Sequence, residues 1–167
     1  MAEGRFVPAA SAGPDPVALL FRHVLDERRR ALFPPGARVL EIRSAAPQAG
    51  GAFDAAVSPP GALDGVDVPA LATWLAGALR PGAPLLLSVT NGPGRASPRD
   101  LRDGLGPSFA WRGSFALGVL LPASADAGWA AERPQLFGLL AAAESLLRRR
   151  PGFRGLGAFT VLEGFRR

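Results

Sequence analysis

Short apolar runs of strand length alternate with helical patterns along this chain, and this alternation limits the fold more than any other feature. The predicted strands lie at 37–42, 53–58, 84–90, 108–120 and 157–165. The run at 84–90 is almost continuously apolar, which is typical of a strand that is covered on both faces of a sheet. Because helical patterns separate most of the runs, the sequence predicts an open α/β sheet with helices on both faces.

Local signals place one helix before these strands and three helices between them. A cap at Asp15 precedes a first-turn proline and an apolar stripe that continues to about residue 32. Ser97 and Asp100 form a capping-box pattern before a short helix. Two further helical faces run over 68–79 and 134–150. Within the last of them, Glu144 is expected to form an ordinary surface pair with the arginine four residues later.

The length of 167 residues suits a single domain with one substantial core. Residues 1–14 are rich in Ala, Gly and Pro and lack periodicity, so we expect a flexible tail there and one domain over 15–167. The N-terminus has no signal-peptide core, and no stretch approaches the roughly 20 apolar residues of a membrane span. The expected location is therefore the cytoplasm, without membrane contact.

The residue inventory excludes several kinds of site. The chain has no cysteine and one histidine, His23, which rules out disulfides, thiolate metal sites and a His/Cys zinc site. His23 falls off the apolar stripe of its helix, so it is expected on the surface. No catalytic residue and no metal ligand is predicted.

The charge is strongly positive, with a net charge of +5 and a pI near 11.4. Clustered positive charge is typical of phosphate binding, but every basic residue here is an arginine. The clusters at 28–30 and 148–150 end predicted helices, where cations offset the helix dipole, and no aromatic residues are interleaved with them. Solvated helix ends are the favoured interpretation, and an Arg-rich nucleic-acid adaptor remains an alternative.

Several ordered segments resemble one family. PPGARVLEI, FDAAVSPPGAL and LAGALRPGAPLLLSV resemble the first, fourth and fifth strands, with their approaches, of class I S-adenosylmethionine-dependent methyltransferases of the small-molecule type. SPRDLRDGL and the last two strands resemble the C-terminal part of that family, so the resemblance covers roughly 15–167. It implies a Rossmann-like sheet, mostly parallel, in which the last strand is antiparallel.

The chain departs from the family at the cofactor positions. In the family, the first strand leads into a GxGxG turn, and those places hold Arg43, Ala45 and Pro47 here. Proline also removes a backbone donor. By position, Glu41, Arg43, Ala45 and Ser58 are the remnants of the family's cofactor site. For Glu41, an ion pair with Arg43 is an equally favoured role.

The chain is also internally shortened. Ten residues separate Ile42 from Phe53, where a complete family member has further strands and helices at about 30 residues per βαβ unit. The strand at 37–42 should therefore lie at the edge of the sheet, without the neighbours that would cover it. We expect this flank to be exposed and to form an interface. The residues predicted for that interface are Val39, Leu40, Ile42 and Ala46.

The sequence thus predicts a degenerate, non-catalytic methyltransferase-like protein that acts through protein–protein association, either as a homodimer or as a companion subunit of an active enzyme. No cofactor is expected to bind tightly. The first alternative is an active methyltransferase that binds S-adenosylmethionine in an altered pocket or in one completed by a partner chain. The second alternative is the nucleic-acid adaptor.

Overall fold

The computed structural model describes residues 15–43, 52–92, 95–121, 128–153 and 155–167. The predicted tail at 1–14 lies outside these ranges. So do Ala45 and Ala46, two of the residues that the sequence analysis assigns to a cofactor site or an interface.

Five strands form one open mixed sheet with the spatial order β1-β2-β3-β5-β4. The strands are β1 (Val39–Glu41), β2 (Ala55–Ser58), β3 (Pro84–Thr90), β4 (Phe109–Leu117) and β5 (Phe159–Arg166). β1, β2 and β3 are mutually parallel, and β5 is antiparallel to both β3 and β4. Four strands therefore point one way and the last strand points the other way, as predicted, and β1 lies at an edge.

Five α-helices accompany the sheet in the described part of the chain. They are α1 (Pro16–Leu32), α2 (Val68–Ala78), α3 (Pro98–Leu105), α4 (Gly128–Glu132) and α5 (Pro134–Leu147). The Asp15 carboxylate accepts a hydrogen bond from the Val17 N–H at 2.8 Å. The predicted capping box is present at the N-terminus of α3, because the side chains of Ser97 and Asp100 each accept a hydrogen bond from the other residue's backbone N–H. The hydrogen bond that the Ser97 backbone N–H donates to the Asp100 carboxylate, followed by an interaction with the Ser97 side chain, lowers the pKa of Asp100.

Each face of the sheet has its own core, so helices cover both faces. Successive side chains of a strand point to opposite faces, and β3 divides accordingly. Leu85 and Leu87 lie in the core beneath α2 and α3, whereas Leu86 lies in the core beneath α1, α4 and α5. No helix in the described ranges combines the length and the apolar character that crossing a bilayer requires.

The expectation that the β1 flank exposes apolar side chains is wrong for two of its residues. Leu40 and Ile42 are only 5% and 1% exposed and belong to the core beneath α2 and α3. Val39 is half-buried and packs on the opposite core. The physical reason is that strand side chains point above and below the sheet, so the loss of a neighbouring strand uncovers backbone groups and leaves the side chains beneath the helices.

The orientation of α5 also differs from the prediction. Glu144 is 3% exposed, and its carboxylate accepts the N–H groups of Gly118, Val119 and Leu120 at 2.7, 3.1 and 2.8 Å. It is therefore not a surface partner of Arg148. These bonds hold the chain where β4 ends, and Gly118 there has a φ of 75°, a conformation that favours glycine.

The two arginine clusters are not uniformly solvated helix ends. Arg28 forms a bidentate ion pair with Glu163 of β5, with both N···O distances 2.7 Å. The hydrogen bond to Glu163 raises the pKa of Arg28. Arg148 is half-buried, and burial, followed by the nearby charge of Arg149, lowers the pKa of Arg148. Arg30 and Arg150 are exposed, as expected.

Candidate functional site

A cavity of about 660 Å³ opens between α1 and the carboxyl ends of β1 and β2. Ligands of open α/β sheets bind outside the carboxyl ends of the strands, and ligand pockets typically have volumes of about 300–1,000 Å³. Apolar side chains form much of its lining: Val17, Phe21, Leu25, Val57 and Phe159. Its position and size make it the candidate functional site of the described chain.

Charged groups of both signs line this cavity, and most of them already have partners. The Asp15 carboxylate caps α1. Asp26 lies 3.6 Å from Arg29 on the same helix. The Glu41 carboxylate accepts a hydrogen bond from Arg43 at 2.7 Å. The three carboxylates are therefore engaged within the chain, and the exposed Arg22 adds a cation to the lining.

Ser58, a predicted remnant of the cofactor site, serves the sheet instead. It is fully buried, and its hydroxyl accepts the N–H of Ser88 at 2.8 Å, which joins β2 to β3. Pro59 and Pro60 follow directly and line the cavity, but neither has a backbone N–H to donate. Gly61 continues into a turn with a φ of 82°. The end of β2 therefore presents apolar surface to the cavity.

The predicted site residues are only partly brought together. Glu41 lines the cavity, and its ion pair with Arg43 is the role that the sequence analysis weighed against cofactor binding. Both side chains are exposed at the end of the edge strand, 47% for Glu41 and 77% for Arg43. The Ser58 hydroxyl bonds to β3 within the sheet, and Ala45 lies outside the described residues. The three described positions do not form one polar cluster.

The described residues do not fit S-adenosylmethionine well. A nucleoside cofactor needs donors for its sugar and base and an uncommitted acid for its hydroxyl groups. At the ends of β1 and β2, however, the acid is paired, the serine hydroxyl is used in the sheet and two prolines replace donors. No group of three potential metal ligands occurs in the described ranges either.

Two charged interactions that matter to the structure were not anticipated from the sequence. The Arg28–Glu163 pair joins residues 135 positions apart, and the Glu144 carboxylate binds a loop about 25 positions away. A single acidic residue within the otherwise uncharged stretch 134–147 was the available signal for the second interaction. The sequence analysis also did not predict that α1 forms a wall of the cavity, although Phe21 and Leu25 lie in the apolar stripe that it assigned to this helix.

Three exposed arginines outside the two clusters have acidic partners. Arg80 pairs with Asp54, and Arg95 pairs with Asp64. Arg43 is paired as described above. Because each of these guanidinium groups has an acidic partner, they are poorly suited to form a continuous phosphate-binding surface.

No protein-family model matches the chain, and no curated protein matches it in sequence. The resemblance to methyltransferases therefore stays a prediction from the quoted segments.

Proposed function

We propose that this chain is a methyltransferase-like protein that does not transfer methyl groups and acts by associating with protein. The observation that carries this proposal is the strand arrangement. β1 lies at the edge, next to β2 and β3, and the antiparallel β5 lies between β3 and β4. This is the arrangement that the family resemblance implies for a sheet that has lost two strands after the first.

The chemistry at the strand ends supports the loss of catalysis. Catalysis of methyl transfer needs a bound cofactor held against its substrate. The positions that would bind the cofactor are occupied by the Glu41–Arg43 pair and by Ser58, whose hydroxyl is used within the sheet. A chain whose described strand ends have these groups engaged elsewhere is better suited to association than to catalysis.

One observation favours the alternative of an active methyltransferase. The cavity at the ends of β1 and β2 is large enough for a small ligand and has an apolar wall. In that case, a partner chain would supply the missing donors. The nucleic-acid alternative has weaker support, because Arg28, Arg80 and Arg95 are already paired with acids.

Calorimetric titration of the full chain with S-adenosylmethionine and S-adenosylhomocysteine tests the proposal. We expect dissociation constants no tighter than about 1 mM, which corresponds to about −4 kcal/mol. Low-micromolar binding would contradict the proposal and favour the alternative. In that event, Arg43→Gly should strengthen binding because it opens the turn after β1.

A matched pair of variants tells whether any observed binding occurs in the cavity. Ala18 is exposed on α1 and lines the cavity, whereas Ala31 is exposed on the same helix and is not among the cavity-lining residues. Binding in the cavity would be abolished by Ala18→Arg and kept by Ala31→Arg. Binding that survives both substitutions would lie elsewhere.

A further inference from the structure

The outer face of α5 is apolar and open to solvent. Leu136, Leu139 and Leu146 are 41%, 68% and 74% exposed. With the half-buried Ala143, they recur at i, i+3, i+7 and i+10, the spacing of a coiled-coil seam. We call these four residues the leucine stripe.

The remainder of α5 adds no charge to this surface. Glu144 is the only charged residue between Pro134 and Leu147, and it points away from solvent into the loop after β4. The inward face of α5 packs through Phe137, Leu140 and Ala141 on the core. A surface helix normally carries polar residues outward, and a helix that is apolar on all sides is normally buried. This face of α5 therefore has the character of a contact surface.

The stripe is symmetric about residue 141. Leu136 and Leu146 lie five residues to either side of that position, and Leu139 and Ala143 lie two residues to either side. If two copies of α5 packed antiparallel, Leu136 would face Leu146 of the second copy and Leu139 would face Ala143. Each leucine then meets an apolar residue. A two-fold interface requires such self-complementarity, because the same surface contributes both sides.

The charges at the two ends of α5 fit the same arrangement. Glu132 and Arg133 lie just before α5 and offset each other, whereas Arg149 and Arg150 lie just after it, and all four are exposed. Antiparallel packing brings the neutral end of one copy to the basic end of the other. It also places opposite ends of the two helix dipoles side by side. Parallel packing would bring like charges together.

We infer that α5 is a self-association surface, and that two copies of this chain pack antiparallel through the leucine stripe about a two-fold axis near residue 141. This inference deepens the proposed function, since it names a second copy of the chain as the associating protein. It places the contact on α5, on the face of the sheet opposite the core that holds Leu40 and Ile42.

Sedimentation velocity of the full chain, from about 1 to about 200 μM, measures the association. α5 is only about 21 Å long, so we expect a reversible dimer with a micromolar dissociation constant. Leu139→Glu should weaken the dimer at least about 30-fold, the loss typical of an interface hot spot. Leu19, which is 42% exposed on α1, provides the matched control, and Leu19→Glu should leave the dissociation constant unchanged.

Charge exchange tests the antiparallel register. Leu136→Glu and Leu146→Arg should each weaken the dimer. The loss of affinity in the double variant should be smaller than the sum of the losses in the two single variants. In the antiparallel register, the introduced Glu at position 136 of one copy faces the introduced Arg at position 146 of the other, at both ends of the interface. In a parallel pair, the double variant would place like charges together and associate least.

The absence of native cysteines allows a direct test of proximity. Copies carrying Leu139→Cys, mixed with copies carrying Ala143→Cys and oxidised with oxidised glutathione, should form the mixed disulfide in preference to either homodimer. Preferred self-linkage of the Leu139→Cys copies would overturn the register.

A wild-type chain that stays monomeric over the whole concentration range would overturn the inference. The leucine stripe would then have to be covered by something other than a second copy, such as residues 1–14 or a different protein. Such a result would leave the cofactor titration unaffected. Conversely, tight S-adenosylmethionine binding by a dimer would overturn the proposed loss of catalysis and leave the α5 interface standing. The two failures are therefore distinguishable.

Discussion

The buried carboxylate of Glu144 gives the sharpest quantitative prediction. It accepts three backbone N–H groups, from Gly118, Val119 and Leu120, at 2.7, 3.1 and 2.8 Å. Hydrogen bonds to a charged group contribute about 1.5–3 kcal/mol each, and an unsatisfied buried donor costs about 1–3 kcal/mol. In Glu144→Gln, the amide oxygen keeps the two hydrogen bonds that Oε1 accepts, but as weaker bonds to an uncharged acceptor. The amide nitrogen is a donor, so it cannot accept the Leu120 N–H, and that buried donor loses its partner.

We therefore expect Glu144→Gln to lower the free energy of unfolding by about 3 kcal/mol. An exposed ion pair with Arg148, the role that the sequence pattern favours, would contribute only about 0.3–0.5 kcal/mol. Urea denaturation followed by circular dichroism measures the difference, with an unchanged m-value showing that the denatured state is the same. In a domain of this size, the loss corresponds to a fall in Tm of about 10 °C.

The matched control is Glu132→Gln, which removes an exposed acid close to the same helix. It should change the free energy of unfolding by less than about 0.5 kcal/mol. A loss below about 0.5 kcal/mol for Glu144→Gln as well would refute the reasoning, because the three short hydrogen bonds would then contribute no more than a surface contact.

Three further predictions test the fold at other points. Ile42→Ala should lower the free energy of unfolding by about 2–5 kcal/mol in urea denaturation, since Ile42 is a core residue. A loss below about 1 kcal/mol would instead support the prediction that the side chains of the β1 flank are exposed. Ser58→Ala should cost about 1–3 kcal/mol in the same assay, because the buried Ser88 N–H loses its acceptor, and an unchanged stability would mean that water replaces the hydroxyl. The lowered pKa of Asp100 means that its ionised form is favoured in the folded state, so its contribution is present above the unfolded pKa and disappears as the pH falls through the folded pKa. The stability difference between the wild-type chain and Asp100→Asn should therefore shrink in acid, and a difference that grows in acid would contradict the capping role.

The accuracy of the sequence analysis follows the range of the interactions involved. The start of α1 at Asp15 and the capping box at Ser97 depend on neighbouring residues, and both were predicted correctly. β3 matches its predicted range, because a strand buried on both faces reads as one apolar run. Strand ends were less accurate. β4 ends at Leu117 rather than near residue 120, because a distant glutamate binds the backbone that follows.

The errors concern which surface of an element faces the core. Periodicity shows that Leu136, Leu139 and Leu146 share a face of α5, but it does not show whether that face meets the sheet. The opposite face also carries apolar residues, and the sheet packs on that one. Likewise, Leu40 and Ile42 were expected to be exposed from the loss of neighbouring strands, although helices above the sheet bury them. Tertiary packing decides both cases.

Ligand-dependent stability tests the central claim, that the chain keeps the fold and has lost the cofactor chemistry. A ligand that binds only the folded state stabilises it by RT ln(1 + [L]/Kd). With about 1 mM S-adenosylhomocysteine, we predict that the free energy of unfolding in urea rises by no more than about 0.4 kcal/mol, as a dissociation constant of about 1 mM or weaker requires. A rise of about 4 kcal/mol, which a micromolar site produces at the same concentration, would contradict the claim.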